Sequence, residues 1–95
     1  MAHVNLSLQI LPLVPEEELY GVVDKVIAHI QKSGVVYHVG PMETTMEGEL
    51  PDLLRLVAEA QDICIAAGAP RVISNIKIDY KPGGVKVDEK IAKYR

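Results

Sequence analysis

The chain has 95 residues, 48% of them apolar and 24% charged, with a net charge of −3; that is the composition of one small globular domain. The mild acidity and the lack of any Lys/Arg cluster argue against a nucleic-acid partner, which a basic stripe would announce. A single cysteine excludes an internal disulfide and a Cys-rich metal site, and no apolar run approaches the roughly 20 residues of a membrane helix.

Residues 4–11 alternate, with Val4, Leu6, Leu8 and Ile10 on one face and Asn5, Ser7 and Gln9 on the other, the period of a half-buried strand. Pro12 and Pro15 end it, and Pro15 suits the opening of a helix because its missing N–H would be unpaired there anyway. Glu16, Glu17 and Glu18 complement the positive end of the helix dipole. The apolar stripe Leu19, Val22, Val23, Val26, Ile27 and Ile30 carries the helix to about Lys32, and Gly34 is its stop. A second strand is expected over residues 35–39, with Val35, Tyr37 and Val39 toward the helices and Val36 and His38 on the other side. Gly40-Pro41 marks a turn. In a third strand with Met46 inward, Glu43, Thr45 and Glu47 point away. Pro51 and Asp52 open a second helix whose buried stripe is Leu53, Leu56, Val57, Ala60 and Cys64, closed by Gly68 and Pro70. The fourth strand, residues 71–80, places Val72, Ile76 and Ile78 inward and Asn75, Lys77 and Asp79 outward, with Ser74 a polar residue on the inner side. After the turn at Lys81-Pro82-Gly83-Gly84, Asp88 is expected to cap a short last helix in which Val87, Ile91 and Tyr94 share a face, docked on a neighbouring edge.

The two halves correspond at an offset of 34 residues: Leu19, Val22, Val23, Val26 and Ile30 fall on Leu53, Leu56, Val57, Ala60 and Cys64, and Gly34 on Gly68, while Ile27 falls on Gln61. A β-α-β unit is thus written twice. Two units are too few for a solenoid, which needs about three, so the chain is expected to form one domain over residues 1–95: an α+β, ferredoxin-like βαββαβ sandwich, with a four-stranded antiparallel sheet and two helices on one face. A domain this small buries only roughly 60–65% of its unfolded surface, so a homo-oligomer is expected.

The other sheet face then carries Asn5, Ser7, Gln9, His38, Glu43, Thr45, Glu47, Asn75 and Lys77. A solvated face more often alternates Lys and Glu, and the amides and hydroxyls here favour partial burial against another subunit or a ligand. Glu43, Glu47 and Glu49 invite a paired-carboxylate reading, yet acids two and four residues apart on a strand are separated by about 7 and 13 Å, with no nucleophile nearby. His3, His29 and His38 share no metal-binding spacing. Gly83-Gly84 lacks the Lys-Ser or Lys-Thr of a phosphate loop. No catalytic residue, metal or cofactor is expected; His38 is the one histidine placed for a site, and the N-terminus lacks a signal peptide's order, so the expected location is cytoplasmic.

Pro41-Met42-Glu43-Thr44-Thr45-Met46-Glu47-Gly48-Glu49 resembles the P-M-x-T-x-(L/M)-E-G-(E/D) segment of the small thiamine-binding protein family. Ile10-Leu11-Pro12-Leu13, Arg71-Val72, Lys77-Ile78-Asp79 and Asp88-Glu89-Lys90 support the likeness over nearly the whole chain. The resemblance implies a ferredoxin-like fold, dimers or tetramers assembled through the open sheet face, and non-catalytic binding of thiamine or its hydroxymethylpyrimidine part. Thr44, Glu47 and Gly48 are the motif positions it carries over. Thiamine offers an aminopyrimidine and a thiazolium cation, which call for carboxylate, amide and aromatic partners. Glu43 or Glu47, Gln9, Asn75 and Tyr37 supply those groups, Thr44 a hydroxyl, and His38 completes the expected set. The competing reading is an oligomeric regulatory module without this ligand. An acylphosphatase-like enzyme ranks third, because Leu11-Pro12-Leu13-Val14-Pro15 stands where its Arg-bearing phosphate loop would be.

Overall fold

The structure, a computed structural model, describes residues 3–94. The elements run β1 (His3–Pro12), α1 (Glu16–Ser33), β2 (Val36–Val39), β3 (Thr44–Glu49), α2 (Leu50–Ala66), β4 (Val72–Asp79) and α3 (Val87–Ile91), with a 3₁₀ turn at Ala92–Tyr94. The strands form a single antiparallel sheet in the order β2-β3-β1-β4, and α1 and α2 pack on one face. This is the ferredoxin-like α+β sandwich expected of the doubled unit.

The two central strands supply the sheet's share of the core. Val4, Leu6 and Leu8 of β1 pair with Gly48, Met46 and Thr44 of β3, so alternation puts all six on the helix side. Against them lie Val22, Val26 and Ile30 from α1 and Leu53, Leu56, Val57, Ala60 and Cys64 from α2. Burial pushes the Cys64 thiol pKa up, as expected of a small core hydrophobe. Leu19, Val23 and Ile27 of α1 are only half-buried; they flank a shallow groove bounded by Tyr20 and Met42.

Helix boundaries follow from local chemistry. Glu18 N–H donates to the Pro15 carbonyl at 2.9 Å, and the three glutamates occupy the first turn of α1. Gly34 closes the helix at φ 83°, its N–H bonded to the Gln31 carbonyl, a conformation that a side chain would strain. On β4, Ser74 faces the helices as expected and is satisfied there: its hydroxyl donates to Gln61 Oε1 of α2 at 2.9 Å. The polar residue that interrupts the α2 stripe and the polar residue in the strand beneath it are each other's partners.

The C-terminal segment departs from expectation in two ways. It crosses onto the open face of the sheet rather than docking on a neighbouring edge, and Asp88 lies inside the first turn of α3, whose N-cap is Lys86. Val85 N–H donates to the His3 carbonyl at 3.2 Å, which starts the crossing beside β1. Val87 is buried, Ile91 half-buried, and Tyr94 exposed. Tyr94 therefore does not share the docked face.

Candidate functional site

The sheet register orders the open face into rows of side chains running across the strands. His38 pairs with Thr45, Thr45 with Ser7, and Ser7 with Lys77, one residue from each strand. The adjacent row is Val36, Glu47, Asn5 and Asp79. In the row beyond Ser7, Gln9 pairs with Asn75.

The tail sits on the second of these rows. Glu47 Oε1 accepts from the Val87 N–H at 2.6 Å, so a side chain of β3 satisfies an amide at the start of α3 that the helix itself leaves unpaired. Asn5 Nδ2 donates to the Val85 carbonyl at 3.4 Å, and Lys90 Nζ lies 2.5 Å from Asp79 Oδ2. Glu47 Oε2 also meets His3 Nε2 at 3.1 Å. Burial pushes the Glu47 carboxyl pKa up, but the Val87 amide, the His3 ring and the nearby Lys86 charge outweigh it and hold the group below its ordinary value.

With one row covered, the His38, Thr45, Ser7 and Lys77 row becomes a floor. The cavity above it, about 510 Å³, has walls of Val87, Lys90 and Ile91 on the α3 side and Val39, Gly40 and Glu43 on the side of the β2–β3 turn. Its volume lies in the range of small-molecule pockets, about 300–1,000 Å³. Glu43 spans the floor: one carboxylate oxygen accepts from the Ser7 hydroxyl and the other lies 3.0 Å from Lys77 Nζ. The Ser7 hydroxyl first, then the Lys77 ammonium, hold its pKa below the ordinary value. Two pairs of opposite charge, Glu43 with Lys77 and Asp79 with Lys90, therefore line a mostly apolar space. Asn5 Oδ1 and His38 Nε2 are buried and have no hydrogen-bond partner among the described residues.

The residues expected from sequence fall into four places. His38 and Glu43 line the cavity. Glu47 lies on the same face but holds α3. Gln9 and Asn75 are on the open face beyond the cavity lining, joined to each other by Asn75 Nδ2 donating to Gln9 Oε1 at 3.1 Å. Tyr37 and Thr44 are on the helix side, Tyr37 packed against the core and Thr44 buried, because β2 and β3 keep strict alternation. Gly48 is also on the helix side, where an added Cβ would touch Leu53 at 3.4 Å. Asn5, Ser7, Thr45 and Lys77 belonged to the expected polar face, and the register now brings them to the site; Asp79 joins them. The contribution of Val87, Lys90 and Ile91 had only their helical spacing as a signal, and that spacing named no target.

The fold and the cavity define a class: a ferredoxin-like domain with a ligand-sized pocket on its open sheet face. The chain belongs to the thiamine-binding protein family, whose model matches residues 6–95. A UPF0045 protein of Clostridium perfringens is 63% identical over 91 residues, 96% of each chain. Among solved structures, a domain of unknown function from Bacillus cereus superimposes with a TM-score of 0.92 at 50% identity, covering 99% of this chain and 91% of that one. A Thermotoga maritima protein, named provisionally for thiamine biosynthesis or salvage, gives a TM-score of 0.91 at 36% identity, covering 98% and 99%.

Proposed function

We propose that the protein binds thiamine or its hydroxymethylpyrimidine moiety in the cavity between the open sheet face and α3, without transforming it, as a carrier, buffer or sensor. The observation that carries this reading is the cavity itself, ligand-sized and lined by a few convergent polar groups in an apolar surround, in a chain of the thiamine-binding family. The carboxylates of Glu43 and Asp79 offer attraction to a thiazolium cation, and the Ser7 and Thr45 hydroxyls on the floor offer hydrogen bonds to a pyrimidine. Both carboxylates already hold a lysine, an arrangement suited to orienting a ligand rather than to moving protons.

Calorimetric titration with thiamine, hydroxymethylpyrimidine and thiamine phosphate tests the reading, with Glu43→Ala alongside. Micromolar binding weakened at least tenfold in the variant is expected; no heat with any of the three overturns it. Self-association into a dimer or tetramer is part of the same proposal. It is supported by the exposure of Ile73, Ile76 and Ile78 along β4, an edge strand whose unpaired backbone and apolar side chains favour a partner. Sedimentation at the mass of the 10.4 kDa monomer across micromolar concentrations would refute that part.

A further inference from the structure

The charges of the cavity are gathered at one end of it. Its floor crosses the sheet from His38 on β2 through Thr45 and Ser7 to Lys77 on β4, a span of about 14 Å at the usual strand spacing. At the β2 end the lining is His38, Val39, Gly40 and Thr45, which bring neither a carboxylate nor an ammonium. At the β4 end stand Lys77, Asp79 and Lys90, and the Glu43 carboxylate reaches over to join them. These four groups carry two charges of each sign. The carboxylates suit a thiazolium, but the ammoniums find no counterpart in a ligand whose only charge is a cation. Both ammoniums are open to a ligand, with the Lys77 side chain 77% and the Lys90 side chain 44% exposed. Neither is used up by its ion pair. An ammonium has three N–H donors, and the bonds to Glu43 Oε1 and Asp79 Oδ2 engage one on each lysine. Asp79, which holds Lys90, is about 7 Å along the strand from Lys77, so the remaining donors border the same end of the cavity.

We propose that the cavity takes the phosphate ester of thiamine in preference to thiamine itself, laid across the strands with its pyrimidine toward β2 and its phosphate on Lys77 and Lys90 at β4. A thiazolium alone meets two like charges at that end as well as two opposite ones. The ester brings a cation and an anion together, so each sign gains an opposite partner, and the spare donors of the lysines reach phosphate oxygens without giving up Glu43 or Asp79. Hydrogen bonds between an ammonium and a phosphate are of the strong, charge-assisted kind. The inference rests on the reading of the cavity as the thiamine site and adds the form of the ligand. Lys90 also fastens α3 through Asp79, whereas Lys77 lies on the open face away from the core, so Lys77 carries the main test.

Titration of the full chain with thiamine, thiamine monophosphate and inorganic phosphate tests the assignment, with Lys77→Gln, Lys77→Arg and Lys90→Gln alongside. The wild type is expected to bind the monophosphate about tenfold or more tightly than thiamine, the worth of one or two bonds to a charged group. Lys77→Gln is expected to lose most of that preference while binding thiamine as well as before or better, because a like charge beside the thiazolium is gone; Lys77→Arg is expected to keep it. Equal affinities in the wild type, or a preference untouched by both glutamine variants, overturn the inference and leave the cavity as the thiamine site. An equal fall for both compounds in Lys77→Gln makes Lys77 a structural residue and also overturns it. Inorganic phosphate bound as tightly as the ester marks a general anion site, which overturns it too. Binding of neither thiamine nor its phosphate by the wild type overturns this inference and the functional reading together.

Discussion

Glu47 shows how one side chain can be claimed by structure although its motif advertises it for a ligand. Its carboxylate receives the Val87 amide and the His3 ring, bonds to a charged group of the kind that contribute about 1.5–3 kcal/mol. Glu47→Gln is therefore expected to lower stability by about 1–3 kcal/mol, read from urea unfolding. Because the folded pKa of Glu47 is depressed, its contribution is complete above the ordinary glutamate range and is lost as pH falls through the lower folded value. Melting temperatures followed from pH 7 to pH 3 should fall on the acid side, and Glu47→Gln should flatten that fall. Gly40 gives a second expectation. Its N–H donates to the Glu43 carbonyl at 2.9 Å, and an added Cβ would sit 2.8 Å from that same oxygen. Gly40→Ala must open the β2–β3 turn and displace Glu43, at a cost of about 1–3 kcal/mol by thermal melting. At this scale the sequence was more legible than its oddities suggested. Ser74 is a polar residue on an inner face and Gln61 a break in the repeated apolar stripe, and together they make one hydrogen bond.

At the scale of elements, period-2 and period-3.6 patterns placed four strands and two helices within a residue or two, because each pattern reports which face is buried whatever lies opposite. The same parity separates the motif residues. Thr44 and Thr45 are adjacent, so only one can face the ligand side, and the buried pairing of Thr44 with Leu8 decides between them. A resemblance carries residue identities across but not their facing. The landing place of α3 was not legible, since the spacing of Val87 and Ile91 shows an apolar patch without naming what covers it. Val87 lies outside the main core cluster, so removal of residues 85–95 is expected to leave the βαββαβ unit folded, with its far-UV dichroism retained. The cavity loses a wall, and thiamine binding should fall by more than tenfold in titration.

For the whole molecule, stability resides in the layer between sheet and helices. Leu6 and Leu53 are fully buried from opposite sides of that layer, and Leu6→Ala or Leu53→Ala should each cost about 2–5 kcal/mol in denaturant unfolding. Against a typical total of about 5–15 kcal/mol, either change threatens the fold. Variants on the open face leave this layer alone, which is why Glu43, Lys77 and His38 can be changed to study binding without unfolding the protein. No helix among the described residues is long and apolar enough to cross a membrane.

A doubled β-α-β unit carries an approximate two-fold axis between β1 and β3, and on symmetry alone the two ends of its open face would be equivalent. Residues 84–91 abolish that equivalence by lying across one end, over Glu47, Asn5 and Asp79, and leaving the other uncovered. What duplication would offer twice, a short appended segment offers once: the stoichiometry expected in titration is one ligand per chain rather than two.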